Sequence, residues 1–279
     1  MTTEPMSAAT SLPPHVTERL VPALGGRVQA RVLVAGRGDP VLFLHGAGGL
    51  IWDPFLEALS AGHTVYAVEH PGAADADALE QLRGIWELVL FYDELLDGLG
   101  LDSVSVVGHS FGGMVAAELA ANSPRRVSRL VLIAAIGLWR DDTPIPDLAA
   151  IPAESLPGLV LAEPTGPLAE LLTPPADDPR ALFEAAQRMA SILHFIWPIP
   201  DKGLRHRIHR VSAPTLLVWG ERDAMVSPVY AREYAGLLQR SETVLVADAG
   251  HLPQLEQTGR VREAVLGFLD RPAAELPGA

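Results

Sequence analysis

The chain has 279 residues, 48% of them hydrophobic, with a formal net charge of -13, enough for one large α/β domain or two small ones. The negative balance disfavours nucleic acid and anionic membrane surfaces as partners and leaves a small molecule as the expected one. The absence of cysteine excludes a disulfide framework, a thiolate nucleophile and a thiolate metal site.

Residues 1–24, rich in Ser, Thr, Pro and Ala at their start, read as a loose tail. They carry no basic patch followed by an apolar stretch, so no signal peptide is visible and the expected compartment is the cytoplasm. Strand-like runs follow at Val28–Val34 and Val41–Leu44. The Gly36-Arg37-Gly38-Asp39 link between them suits a hairpin with one antiparallel edge. Further strands are expected at Val65–Val68, Val104–Val107, Leu130–Ala134, Leu216–Trp219 and Val244–Val246. Helical spacing marks Leu82–Leu99, Met114–Ala121, Tyr230–Leu238 and Val261–Leu269. The alternation predicts a mostly parallel central sheet flanked by helices. No internal repeat is visible. The longest apolar run, Leu130–Trp139, is too short to span a bilayer.

The alternation breaks between about Gly137 and Arg210, where 11 of the 24 prolines fall between Pro144 and Pro200. Leu182–Trp197 has helical spacing there, and the many prolines fit short helices and stiff loops. A stretch this long is functional or disordered, and its apolar content favours an ordered insertion. The expected organisation is a core of residues 25–136 and 211–272, an insertion at 137–210 and a C-terminal tail at 273–279. The one basic cluster, Lys202 with Arg205-His206-Arg207 and His209-Arg210, reads as a solvated face.

Gly108-His109-Ser110-Phe111-Gly112 lies between a predicted strand and a predicted helix. A serine at such a turn is pushed out of the sheet with its hydroxyl exposed; the competing reading is a Gly-rich turn with a helix-capping serine. A serine nucleophile needs a base, and the base an orienting carboxylate. On this kind of sheet the acid and then the histidine follow the serine in sequence. Glu221-Arg222-Asp223 and Asp248-Ala249-Gly250-His251 both sit just past parallel strands, where open α/β sheets place their sites. An oxyanion needs preorganised donors. The Phe111 N–H is one, and the His45-Gly46-Ala47-Gly48 loop supplies the other, with Ala47 preferred and Gly48 as alternative. The loop lacks the lysine of a phosphate cradle.

Leu44-His45-Gly46-Ala47-Gly48-Gly49, Gly108 to Gly113, Trp219 to Asp223 and Gly250-His251-Leu252-Pro253 with Glu256 together resemble the α/β-hydrolase superfamily. The resemblance covers about Val28 to Leu269. It implies an α/β-hydrolase fold with an inserted helical cap, Ser110 as nucleophile, Asp223 as acid and His251 as base, and no cofactor or metal. Asp248 and Glu221 remain rivals for the acid. Trp139, Met189, Phe195, Ile196 and Trp197 are candidates to line an apolar pocket or to form the cap's own small core. His45, Gly46 and Leu252 complete the candidate pocket. The chain departs from the family pattern at Glu69-His70-Pro71-Gly72-Ala73-Ala74-Asp75, which has no later Gly-x-Ser, so substrate contacts in that loop do not carry over.

The activity these residues imply is hydrolysis of an ester, lactone or thioester of a largely apolar molecule. Carbon–carbon bond hydrolysis of ring-cleavage products is the alternative, with Arg180 or Arg188 facing a substrate carboxylate. Ser110 argues against epoxide hydrolase and haloalkane dehalogenase chemistry, which needs an aspartate there. A haloperoxidase or lyase would share the triad. A non-enzymatic ligand receptor on the same scaffold is the reading from a different class. Oligomeric state stays open between monomer and homodimer.

Overall fold

The computed structural model describes residues 12–175 and 177–278. In chain order these form β1 (Thr17–Ala23), β2 (Val28–Ala35), β3 (Pro40–Leu44), α1 (Pro54–Ser60), β4 (Thr64–Val68), α2 (Ile85–Leu99), β5 (Val104–His109), α3 (Phe111–Asn122) and β6 (Val127–Ile133). Then come α4 (Leu156–Val160), α5 (Pro167–Leu172), α6 (Pro179–Ile196), β7 (Thr215–Gly220), α7 (Val229–Leu237), β8 (Ser241–Val246), α8 (Pro253–Glu256) and α9 (Thr258–Leu269).

The eight strands form one sheet in the order β1-β2-β4-β3-β5-β6-β7-β8. From β4 onward every pairing is parallel. Every residue of β5 and β7 is buried, as a sheet covered on both faces requires. One core lies on the side of α2, α3 and α7 and includes Phe91, Tyr92, Met114, Trp219 and Tyr234. The second lies on the side of α1 and α9 and includes Phe43, Phe55, Val107, Val265 and Phe268. Each fully buried side chain of this size stabilises the fold by about 1.5–3 kcal/mol.

Four expectations are corrected. The hairpin between the first two predicted strands does not form, because β4 lies between them, pairing antiparallel with β2 and parallel with β3. All but the first residue of β3 are buried, so β3 needs a neighbour on each side and takes β4 and β5. The loose tail ends earlier than residue 24. Residues 1–11 lie outside the described residues, but Thr17–Ala23 pairs residue by residue with Val28–Val34 as the antiparallel edge. The C-terminal segment is also tied down: Leu276 is buried in the second core and Arg240 donates to the Pro277 carbonyl (2.7 Å). Finally, the basic cluster is a solvated face only in part: His206, His209 and Arg210 are exposed, but two of its arginines are engaged. Arg207 grips buried Glu118 of α3 with two hydrogen bonds and lies 4.6 Å over the Trp86 ring, while Arg205 pairs with Glu233 (2.6 Å).

The segment between β6 and β7 carries α4, α5 and α6. Asp178 starts α6 by accepting from the Arg180 and Ala181 N–H groups, an N-cap of the usual kind. Among the described residues no helix is long and apolar enough to cross a membrane.

Candidate active site

Ser110 sits between β5 and α3 at φ 53°, ψ -114°, a conformation that strains any residue with a Cβ by about 1–3 kcal/mol. Its surroundings hold it there. Its N–H donates to the Ile133 carbonyl (2.9 Å), and its own carbonyl accepts from Met114 and Ile136. The flanking glycines allow the turn: a Cβ on Gly108 would strike the Gly112 carbonyl, and one on Gly112 the Leu44 carbonyl. So strand, serine and helix come within backbone contact of the loop after β3.

Three side chains from separate loops meet at this turn. His251 Nε2 lies 2.9 Å from Ser110 Oγ, and its Nδ1 lies 2.9 Å from Asp223 Oδ2. A carboxylate at Nδ1 fixes the tautomer, so Nδ1–H donates and Nε2 is free to accept the serine proton. Asp223 is itself oriented: its Oδ1 accepts from the Met225 (3.0 Å) and Val226 (2.8 Å) N–H groups. All three residues are buried, where charge interactions are less screened. The rival acids lie elsewhere. Asp248 pairs with Arg222 (2.6 Å) on the surface, and Glu221 is exposed.

The His251 loop is held from two directions. His109 Nε2 donates to the His251 carbonyl (2.9 Å), and the His251 N–H donates to the Val160 carbonyl (2.8 Å) at the end of α4. Glu256 accepts from the Gly250 N–H (2.8 Å) and the Leu252 N–H (3.3 Å) through one oxygen, and from the Ala162 N–H (2.7 Å) through the other.

Phe111 heads α3, where the first N–H groups have no helix carbonyl to bond. The β3 loop faces it. A Cβ on Gly46 would come 2.7 Å from His109 Nδ1 and 3.2 Å from Ser110 Cβ, so the Gly46-Ala47 backbone lies directly against the serine turn. Phe195 of α6 stacks on the Phe111 ring at 5.9 Å, and Arg188 packs its side chain on Gly49. The segment between β6 and β7 therefore packs on the head of α3, the β3 loop and the histidine loop together.

The other pocket candidates divide. Leu252 is half-buried against the larger core, and so is Trp139, which donates to Asp141 (2.9 Å). Met189 is half-buried on α6. Trp197, one residue past the end of α6 at Ile196, is 62% exposed and so does not line an enclosed pocket. His45 is buried but not available to a ligand. Its Nδ1 bonds the Gly46 carbonyl (2.6 Å), and its Nε2 accepts the His70 N–H (3.0 Å). Burial pushes this imidazole down to about 4 and that of His109 to about 3.

Residues 41–264 match the model of the alpha/beta hydrolase family. The chain belongs to that family. A 2-hydroxy-6-oxononadienedioate/2-hydroxy-6-oxononatrienedioate hydrolase of Klebsiella pneumoniae is 30% identical over 88% of this chain and 93% of its own. Some relatives are far longer: a polyketide synthase of Burkholderia thailandensis is 28% identical over 92% of this chain but 13% of its own. Among solved structures, a meta-cleavage product hydrolase of Pseudomonas fluorescens superposes with a TM-score of 0.73 at 22% identity, covering 90% of this chain and 97% of that one. A carboxylesterase of Bacillus subtilis superposes at 0.67 and 22% identity, covering 92% of each. These two structures share the fold with this α/β hydrolase.

The sequence carried no signal for the roles of His70, Tyr92 and Val160. His70 lies in the loop that departs from the family pattern, and its partners are distant in the chain. Glu256 stands in the motif, but only its three backbone donors reveal its work. Among the described residues no group of three or more His, Asp and Glu side chains is placed to hold a metal ion.

Proposed function

We propose that this α/β hydrolase is a serine hydrolase that cleaves an ester, lactone or thioester of a largely apolar small molecule. The observation that carries the reading is the Ser110–His251–Asp223 chain of 2.9 Å contacts at a strained strand-to-helix turn. Ser110 Oγ attacks the carbonyl carbon as its proton passes to His251 Nε2. Asp223 holds the imidazole and stabilises the imidazolium. The oxyanion takes hydrogen bonds from the Phe111 and Ala47 N–H groups. The C–O or C–S bond then breaks, the leaving group takes the proton from His251, and the acyl group stays on Ser110. Water attacks the acyl-enzyme with His251 as base, releasing the acid and restoring the serine. Phe111, Phe195 and Leu252 supply apolar surface beside the serine.

A second reading is supported by one side chain. Arg188 is half-buried against the β3 loop, while Arg180 pairs with Glu184 in solvent (2.8 Å). Arg188 would meet a substrate carboxylate from there, which fits carbon–carbon hydrolysis of ring-cleavage products, the activity named for the Klebsiella relative.

The test is labelling by a fluorophosphonate, with peptide mapping, followed by steady-state turnover on an ester panel and a ring-cleavage dienoate. One adduct per chain on Ser110, absent in Ser110→Ala, with sustained ester turnover supports the first reading. Preference for the dienoate, with KM raised in Arg188→Ala, favours the second. No adduct and no turnover in folded protein overturns both.

A further inference from the structure

We infer that His70 and Tyr92 are positioning residues for the oxyanion donor, acting through a hydrogen-bond chain that ends on the Gly46–Ala47 peptide. The inference rests on the serine-hydrolase reading. It starts from a group of buried polar side chains that the hydrolytic steps do not use.

Each proton in the chain is assigned by its partner. His70 Nε2 faces the His45 carbonyl (2.7 Å), which only accepts, so Nε2 carries the hydrogen. His70 Nδ1 is then bare and accepts the Tyr92 hydroxyl (2.5 Å). His45 Nε2 accepts the His70 N–H (3.0 Å), so the hydrogen of His45 is on Nδ1 and donates to the Gly46 carbonyl (2.6 Å). The order is Tyr92 O–H to His70, His70 to the His45 carbonyl, and His45 to the Gly46 carbonyl. All three side chains are buried.

The two carbonyls at the end belong to the two peptide units that flank Gly46. The loop needs glycine here, since a Cβ would collide with His109 and crowd Ser110. Glycine is also the residue with the most backbone freedom. Two imidazole N–H groups remove that freedom by pinning both peptide planes. They also act electronically. The Gly46 carbonyl and the Ala47 N–H are opposite ends of one peptide unit, so a donor on the oxygen makes the N–H a stronger donor. An oxyanion hole works by being preorganised before charge develops, and this chain supplies that order. His70 also meets the residue that carries the other donor: its ring packs edge-on against the Phe111 ring at 4.8 Å.

The experiment measures kcat and KM on a p-nitrophenyl ester for Tyr92→Phe, His70→Ala and the double variant. Alongside it, the inhibition constant of a trifluoromethyl ketone, which adds to the serine as a tetrahedral oxyanion, and the Tm are measured. Tyr92→Phe keeps the ring and should lower kcat about tenfold while KM stays within about twofold. Ketone affinity should fall by the same factor as kcat, because both report the oxyanion. His70→Ala should lose more, and the double variant no more than His70→Ala, as members of one chain are non-additive. If His70→Ala does not fold, Tyr92→Phe decides alone. Unchanged kcat and ketone affinity in a folded variant overturns the inference, as does a rise in KM with kcat intact. Wild-type protein that neither labels with fluorophosphonate nor turns over would instead overturn the serine-hydrolase reading.

Discussion

Ala162 and Glu256 join the segment between β6 and β7 to the loop of His251: the Ala162 N–H donates to Glu256 Oε2 at 2.7 Å, while Oε1 of the same carboxylate holds the N–H groups on either side of the histidine. One side chain thus fixes the His251 loop to the segment packed against it. Glu256→Ala leaves three half-buried N–H groups without this acceptor. It should cost about 2–4 kcal/mol of stability and lower kcat more than it raises KM. Glu256→Gln keeps an acceptor oxygen and should lose less in both. Thermal unfolding and steady-state kinetics check this, and equal losses in the two variants would contradict it.

Two of the three candidate acids separate cleanly. Asp223 holds His251 Nδ1 in the core, whereas Asp248 pairs with Arg222 on the surface. Asp223→Asn should reduce kcat by about 10⁴-fold, because the amide leaves the imidazole in the wrong tautomer. Asp248→Asn should stay within about twofold, since an exposed ion pair is worth little. A larger loss in Asp248→Asn would reverse the assignment.

Pocket membership can be tested on α6 and its end. Phe195 is buried against Phe111, while Trp197 lies in solvent. Phe195→Ala should raise KM for apolar esters and destabilise the protein by about 3–5 kcal/mol. Trp197→Ser should leave KM and Tm nearly unchanged. An equal KM effect at the two positions would place Trp197 in the pocket after all.

Acid sensitivity follows from the buried histidines. In the unfolded chain each imidazole takes a proton near its usual 6.5, but burial holds folded His45 at about 4, folded His109 at about 3 and folded His70 well below the usual value. Between these values the unfolded state binds more protons than the native one, so stability rises with pH and falls as the solution is acidified. The loss should begin near pH 6.5 and steepen down to about pH 4, at up to about 1.4 kcal/mol per pH unit for each histidine. Tm measured from pH 7.5 to 4.5 reads it directly, and a flat profile would mean that these imidazoles take up protons in the native state as readily as in the unfolded chain.

Much of the site was legible as local pattern. Gly108 to Gly112 between an apolar run and a helix start marks a turn that only certain residues can make, and the polar clusters past β7 and β8 follow from how parallel strands end. The edge of the sheet was not legible. β1 has five exposed residues and reads as loop until its pairing with β2 is seen. The expected hairpin failed for a related reason, since a glycine link between two strands does not say whether a third strand comes between them.

By itself the sequence determined the fold class, the serine turn and the order in which the carboxylate and histidine clusters follow it. These depend on apolar periodicity, on glycines that admit close backbone approach and on contacts a few residues apart. Only the tertiary structure decided which carboxylate reaches His251, that His45 serves the loop rather than a ligand, and that Tyr92, His70 and Glu256 hold the site in place. Those roles depend on hydrogen bonds between loops far apart in the chain, whose geometry exists only after both faces of the sheet have packed.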